Sequence, residues 1–144
     1  MKIKSFNYLK FSIALCALAL FSGCAKVTMK KADESMLQKQ YAISAAMYDE
    51  LARDTELPKE DRQTAAFRGA ESYRYNHQPK RALKMYQRAE KYGSTDPIVI
   101  YRKAQMHKQL GQYEEAIAAF KEYEKMAPGD ERIEAMLKGC EKAL

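Results

Sequence analysis

Few residues of this 144-residue chain could do covalent or acid–base chemistry. The foremost is Cys24, which follows Ser22 and Gly23 where an apolar run ends, in ALFSGCAKV over residues 19–27. Its thiol could be the leftover of a cleaved segment, a buried apolar group, or the atom that ties the chain to a membrane. Cys16 and Cys140 are the other thiols, and no Cys-x-x-Cys occurs. His77 and His107 have no Cys, His or Asp at ligand spacing, so no metal site is expected. Adjacent charges such as Lys30-Lys31, Glu114-Glu115 and Asp130-Glu131 fit solvated helix faces and helix ends better than a general acid–base pair. There is no Ser, His and Asp arrangement and no Gly-rich phosphate loop. Enzymatic activity, a cofactor and a small-molecule substrate are therefore not expected. Attachment at Cys24 and recognition by surface remain.

The first 23 residues read as a targeting segment. Lys2, Lys4 and Lys10 make a basic start, and residues 11–21, FSIALCALALF, are apolar but too short to span a bilayer as a mature helix. Charge, apolar run and small residues, in that order, make an export signal. Its removal takes three of the 25 basic residues and leaves 22 against 19 acidic, a net charge of +3 in place of +6. No dense basic stripe interleaved with aromatics is left, so nucleic acid is not an expected partner. Cys24 and Cys140 then stand at opposite ends of the mature chain, where one disulfide is possible in an oxidising compartment.

Residues 21–24, Phe-Ser-Gly-Cys, resemble a lipobox, the processing and acylation site of bacterial lipoproteins, with Phe21 where an aliphatic residue is usual. The resemblance implies that Cys24 is the lipid attachment residue and that residues 24–30 are a short linker. Each buried methylene of an acyl chain contributes about 0.8 kcal/mol to membrane binding. Ala25, where inner-membrane retention would have Asp, resembles an outer-membrane address facing the periplasm.

The rest of the chain repeats itself. YAISAAMYDELARDTELP from Tyr41, PKRALKMYQRAEKYGSTDP from Pro79 and YEEAIAAFKEYEKMAPGD from Tyr113 share a small residue (Ser44, Ala82, Ala116) and an aromatic four residues later (Tyr48, Tyr86, Phe120). The steps are 38 and 34 residues, and a polar connector at residues 57–62, LPKEDR, is expected to hold the four extra. A further helical segment precedes each block, with apolar residues at helical spacing, as in Ala66, Ala70 and Tyr73. Pro58, Pro79, Pro97, Gly111 and Pro128 punctuate the ends, and no long period-two alternation predicts strands.

These features resemble the tetratricopeptide repeat. The third copy, about residues 97–130, is nearest the pattern, with Ala104, Leu110-Gly111, Tyr113, Ala116, Phe120, Tyr123 and Pro128. The second, residues 63–96, has His77 at the turn glycine, and the first, about residues 25–58, is degenerate. The resemblance implies an all-α fold: three helix-turn-helix pairs over residues 31–130 in a short right-handed solenoid. Residues 131–144 follow as a capping helix, with Ile133, Met136, Leu137 and Cys140 on its apolar face. His107 and Cys140 are expected to be packed inside.

In such a fold the first helix of each pair lines a concave groove. The resemblance places Phe67, Glu71, Arg74 and Tyr75 there from the second repeat, and Tyr101, Gln105 and Lys108 from the third. Phe67, Tyr75 and Tyr101, taken as exposed aromatics beside Arg74 and Lys108, would form a partner-binding cluster. The tetratricopeptide clamps for a C-terminal carboxylate need Lys and Asn where this chain has Met29 and Asp33, so that chemistry is not expected, although Arg68 and Arg102 stand nearby. The expected function is a lipid-anchored scaffold for another cell-envelope protein. The chain resembles the N-terminal repeats of Bacteroidota gliding and type IX secretion lipoproteins. A pilot lipoprotein for an outer-membrane channel, or a recruiter of a peptidoglycan enzyme, are the alternatives.

Overall fold

A computed structural model describes residues 26–144. The signal segment at residues 1–23, the lipobox and Cys24 lie outside the described residues. Seven helices follow one another: α1 (Met29–Leu37), α2 (Tyr41–Leu51), α3 (Lys59–Tyr75), α4 (Pro79–Lys91), α5 (Pro97–Gln109), α6 (Tyr113–Met126) and α7 (Arg132–Glu141). Each packs mainly on its sequence neighbours, as in a solenoid built from helix pairs. No strand occurs among the described residues.

The turn inside each pair has one geometry. Lys39, His77 and Gly111 take φ of 59°, 54° and 72°, each two residues before the second helix. The next residue is always glutamine, and its N–H reaches back to the first helix: Gln40 to Ser35 O at 2.9 Å, Gln78 to Tyr73 O at 2.9 Å, and Gln112 to His107 O at 3.0 Å. These bonds satisfy carbonyls that the helix end leaves open. A left-handed residue is required at that position, which glycine adopts without strain and Lys39 and His77 do not.

Residues 59–62 are not a connector. They form the first turn of α3, which has 17 residues against 13 in α5. The four extra residues are thus one extra helical turn. Pro58 stands at its N-cap, and Glu60 and Asp61 place negative charge at the helix start, where the dipole favours it.

The repeated small and aromatic positions form the core. Ser44, Ala82 and Ala116 are buried, as are Tyr48, Tyr86 and Phe120. Full burial of side chains of this size contributes roughly 1.5–3 kcal/mol each. Gly69 on α3 marks the closest approach: a Cβ there would lie 2.6 Å from Met85 Cε and 3.0 Å from Tyr48 Cβ. The core has two parts, the first from Ala32 to Met106 and the second from Ile100 to Cys140, with Ile98 packed against both. Cys140 and Ile133 are buried under α7, with Met136 and Leu137 half-buried beside them. His107 is not a core aromatic. It is half-buried near the end of α5, with Nδ1 2.9 Å from Gln112 Oε1 across the turn.

Candidate interaction groove

The first helices α1, α3 and α5, with α7, line one face of the array, and two recesses open on it. The larger, about 620 Å³, lies between α1 and α3 and has Met36, Leu37, Tyr41, Phe67 and Tyr75 in its wall. Leu37 is 84% exposed and Tyr75 45%. The second, about 470 Å³, is lined by Arg74, Arg102, Gln105, Lys108, Gln109 and Met136. Arg74 and Tyr75 stand between the two, the guanidinium 4.1 Å from the centre of the Tyr75 ring, which in turn stacks on Tyr41 at 5.0 Å.

A repeated clasp sets the floor. Asp33 on α1 accepts hydrogen bonds from Tyr48 of its own pair and from Arg68 of the next. Glu71 on α3 accepts from Tyr86 of its own pair and pairs with Arg102 of the next, Nε to Oε1 3.6 Å. Glu71 also holds Arg74, at 2.6 Å and 3.2 Å. In the third pair the corresponding residues are Gln105, Phe120 and Met136, so acid, hydroxyl and guanidinium are all absent there. Gln105 Oε1 instead accepts from Arg102 at 2.9 Å.

Burial alone would raise the Glu71 carboxyl. Hydrogen bonds from Arg74 and Tyr86, with the charges of Arg74 and Arg102, outweigh it and hold the group below its ordinary value. Burial, followed by the neighbouring Glu71 charge, pushes the Tyr86 hydroxyl well above the phenolic range. Burial and Asp33 do the same to Tyr48. Both hydroxyls are therefore fixed donors at any physiological pH.

Of the residues assigned to the groove from the sequence, Phe67, Glu71 and Tyr75 line the first recess, and Arg74, Gln105 and Lys108 the second. Tyr101 does not join them. It is only 4% exposed, with Phe120 at 5.9 Å, Tyr123 at 5.2 Å and the Arg132 guanidinium 5.0 Å above its ring. It occupies the same repeat position as Phe67, but Tyr123 stands where the second pair has Ala89, and α7 closes over it. Arg68 and Arg102, which stand near the positions where a carboxylate clamp would want cations, are both held by carboxylates of this chain. Sequence reasoning missed Met36, Leu37 and Tyr41. The clasp was also missed, although Asp33/Glu71, Tyr48/Tyr86 and Arg68/Arg102 recur at the repeat steps.

No group of three or more His, Cys, Asp or Glu able to hold a metal occurs among the described residues, and none of their helices is long and apolar enough to cross a membrane. A family model described as Tetratricopeptide repeat matches residues 67–131. Among solved structures, the chain is similar to the type III secretion chaperone SycD of Yersinia enterocolitica, in complex with a peptide of the translocator YopD. The TM-score is 0.65 and the identity 12%, over 84% of this chain and 98% of that one. At that identity the likeness is one of fold. No curated protein matches the chain. Repeated helix pairs, a shared turn geometry and the family match show that the chain carries tetratricopeptide repeats over residues 67–131, within a fold like that of SycD.

Proposed function

We propose that this protein is a non-enzymatic scaffold, held at the periplasmic face of an outer membrane by lipid on Cys24, whose groove takes an extended segment of another envelope protein. The observation that carries this reading is the pairing of an exposed apolar recess with a cationic one. Leu37, Phe67 and Tyr75 offer an apolar seat on α1 and α3. Next to it, Arg74, Arg102 and Lys108 outnumber the single carboxylate of Glu71, an excess that suits an acidic partner. The fitting ligand is a segment with a large apolar side chain flanked by Asp or Glu. Exposed Leu37 gains most from being covered.

The SycD likeness supports a groove occupied by a segment of a partner, since that chaperone is seen with a translocator peptide. It equally favours the pilot-lipoprotein reading, in which the segment belongs to a channel subunit. A secretion or gliding complex of the envelope is the assembly to which the sequence resemblance points. Photocrosslinking from Tyr75 in intact cells tests the reading. Adducts with one envelope protein, lost in Leu37→Glu, support it, and an unchanged adduct in that variant rejects the groove.

A further inference from the structure

Away from the groove, a recess of about 290 Å³ opens between α2 and α4. Its floor is Met85 and Tyr73, both buried. Its rim carries four cations, Arg53, Arg81, Lys84 and Arg88, and a single carboxylate, Asp49. Asp49 holds two of them, Arg53 and Arg88, the latter at 2.6 Å. Met85 Sδ also lies 3.2 Å from the Arg88 Nη1. Arg81 lies over the Tyr73 ring at 5.7 Å, and neither Arg81 nor Lys84 has an ion-pair partner among the described residues.

The repeat itself shows that the fold does not need this charge. Arg81, Lys84 and Arg88 lie on one face of α4, at steps of three and four residues. The corresponding residues are Ile43, Ala46 and Glu50 in the first pair, and Glu115, Ala118 and Glu122 in the third. All six are exposed. Like charges so spaced destabilise a helix. The second pair alone carries them, around a concavity.

We propose that this recess binds a phosphoryl group. One carboxylate against four cations leaves three positive charges. A singly charged carboxylate ligand would leave two of them unmatched, whereas a phosphate ester brings nearly two negative charges and three acceptor oxygens. Guanidinium forks suit that geometry, and Asp49 holds two of them in place before the ligand arrives. The same chemistry is offered by the phosphomonoester headgroup of an anionic lipid and by a soluble phosphate monoester. This site is independent of the groove and of its occupant.

The test is titration of the full chain, in neutral-detergent micelles at low ionic strength, with inorganic pyrophosphate, followed by calorimetry. The site predicts saturable one-to-one binding, weakened about tenfold or more by Arg81→Gln with Lys84→Gln. Lys121→Gln with Lys125→Gln, on α6, should leave it unchanged. Micelles doped with phosphatidic acid, whose headgroup is a phosphomonoester, separate the two sources: competition with pyrophosphate assigns the site to a lipid headgroup, and its absence to a soluble ester. No binding, binding that survives the α4 variant, or equal weakening by the α6 variant would overturn the proposal.

Discussion

Arg102, on the first helix of the third pair, reaches back to Glu71 on the first helix of the second, 3.6 Å away, just as Arg68 reaches back to Asp33. Each carboxylate also takes the tyrosine hydroxyl of its own pair. The clasp therefore ties three helices at once, and it fixes the stacking of one pair on the next. It stops at the third pair, where Gln105, Phe120 and Met136 stand in its place and α7 closes the array by apolar packing.

Glu71→Gln should destabilise the fold by about 2 kcal/mol at neutral pH, since it leaves Arg74 and Arg102 without their carboxylate in a largely buried place. The folded pKa of Glu71 lies below its ordinary 4.5, so the unfolded chain binds more protons in the window beneath that value. The carboxylate's contribution is present above about pH 4.5 and is lost as pH falls through the folded pKa. Chemical denaturation between pH 7 and pH 3 should show the two proteins converging in stability as the pH drops.

Tyr101→Ala should cost about 3–5 kcal/mol, as for a large aromatic removed from a core, and lower the melting temperature accordingly. Tyr75→Ala, at an exposed position, should change stability by no more than about 1 kcal/mol while weakening partner binding. Thermal melts of both variants separate the two roles that the sequence alone had merged.

The contrast shows what was legible. The period of small and aromatic residues revealed the helix pairs, because Ser44, Ala82 and Ala116 must let helices touch whatever else changes. Exposure of a given repeat position was not legible, because it depends on neighbours one repeat away. Phe67 and Tyr101 are equivalent by number, yet Tyr123 and α7 bury only the second. The charged run KEDR read as a loop because polarity alone does not separate a connector from the first turn of a helix. Pro58 before it and acids within it are helix-start signals. The clasp was in the sequence but needed three columns of the repeat to be compared together.

His77→Gly should stabilise the protein by about 0.5–1 kcal/mol, since the residue holds φ of 54° and glycine removes the Cβ penalty of that conformation. Gly111→Ala, at the same turn of the third pair, should destabilise it by a similar amount. Urea unfolding of the two variants, with equal and opposite shifts in midpoint, checks the shared geometry.

Helix α1 begins at Met29, capped by Thr28, whose hydroxyl accepts from Lys31 N at 3.3 Å. A lipid on Cys24 would then lie four residues along the sequence from the cap. Cys24→Ser should release the protein from membranes in a fractionation. A long Gly/Ser insertion after Ala25 should keep it on the membrane but impair function, because the repeats would no longer be held against the surface.

A photoreactive residue at position 75, with one at position 87 on α4 as the control, tests whether α1, α3, α5 and α7 present a groove for an apolar and acidic segment. Crosslinking from Tyr75 should yield one partner, mapped by mass spectrometry to a segment with a large apolar side chain beside Asp or Glu, and crosslinking from Gln87 none. The same adduct from Gln87, or an adduct from Tyr75 that maps to a basic segment, would contradict it.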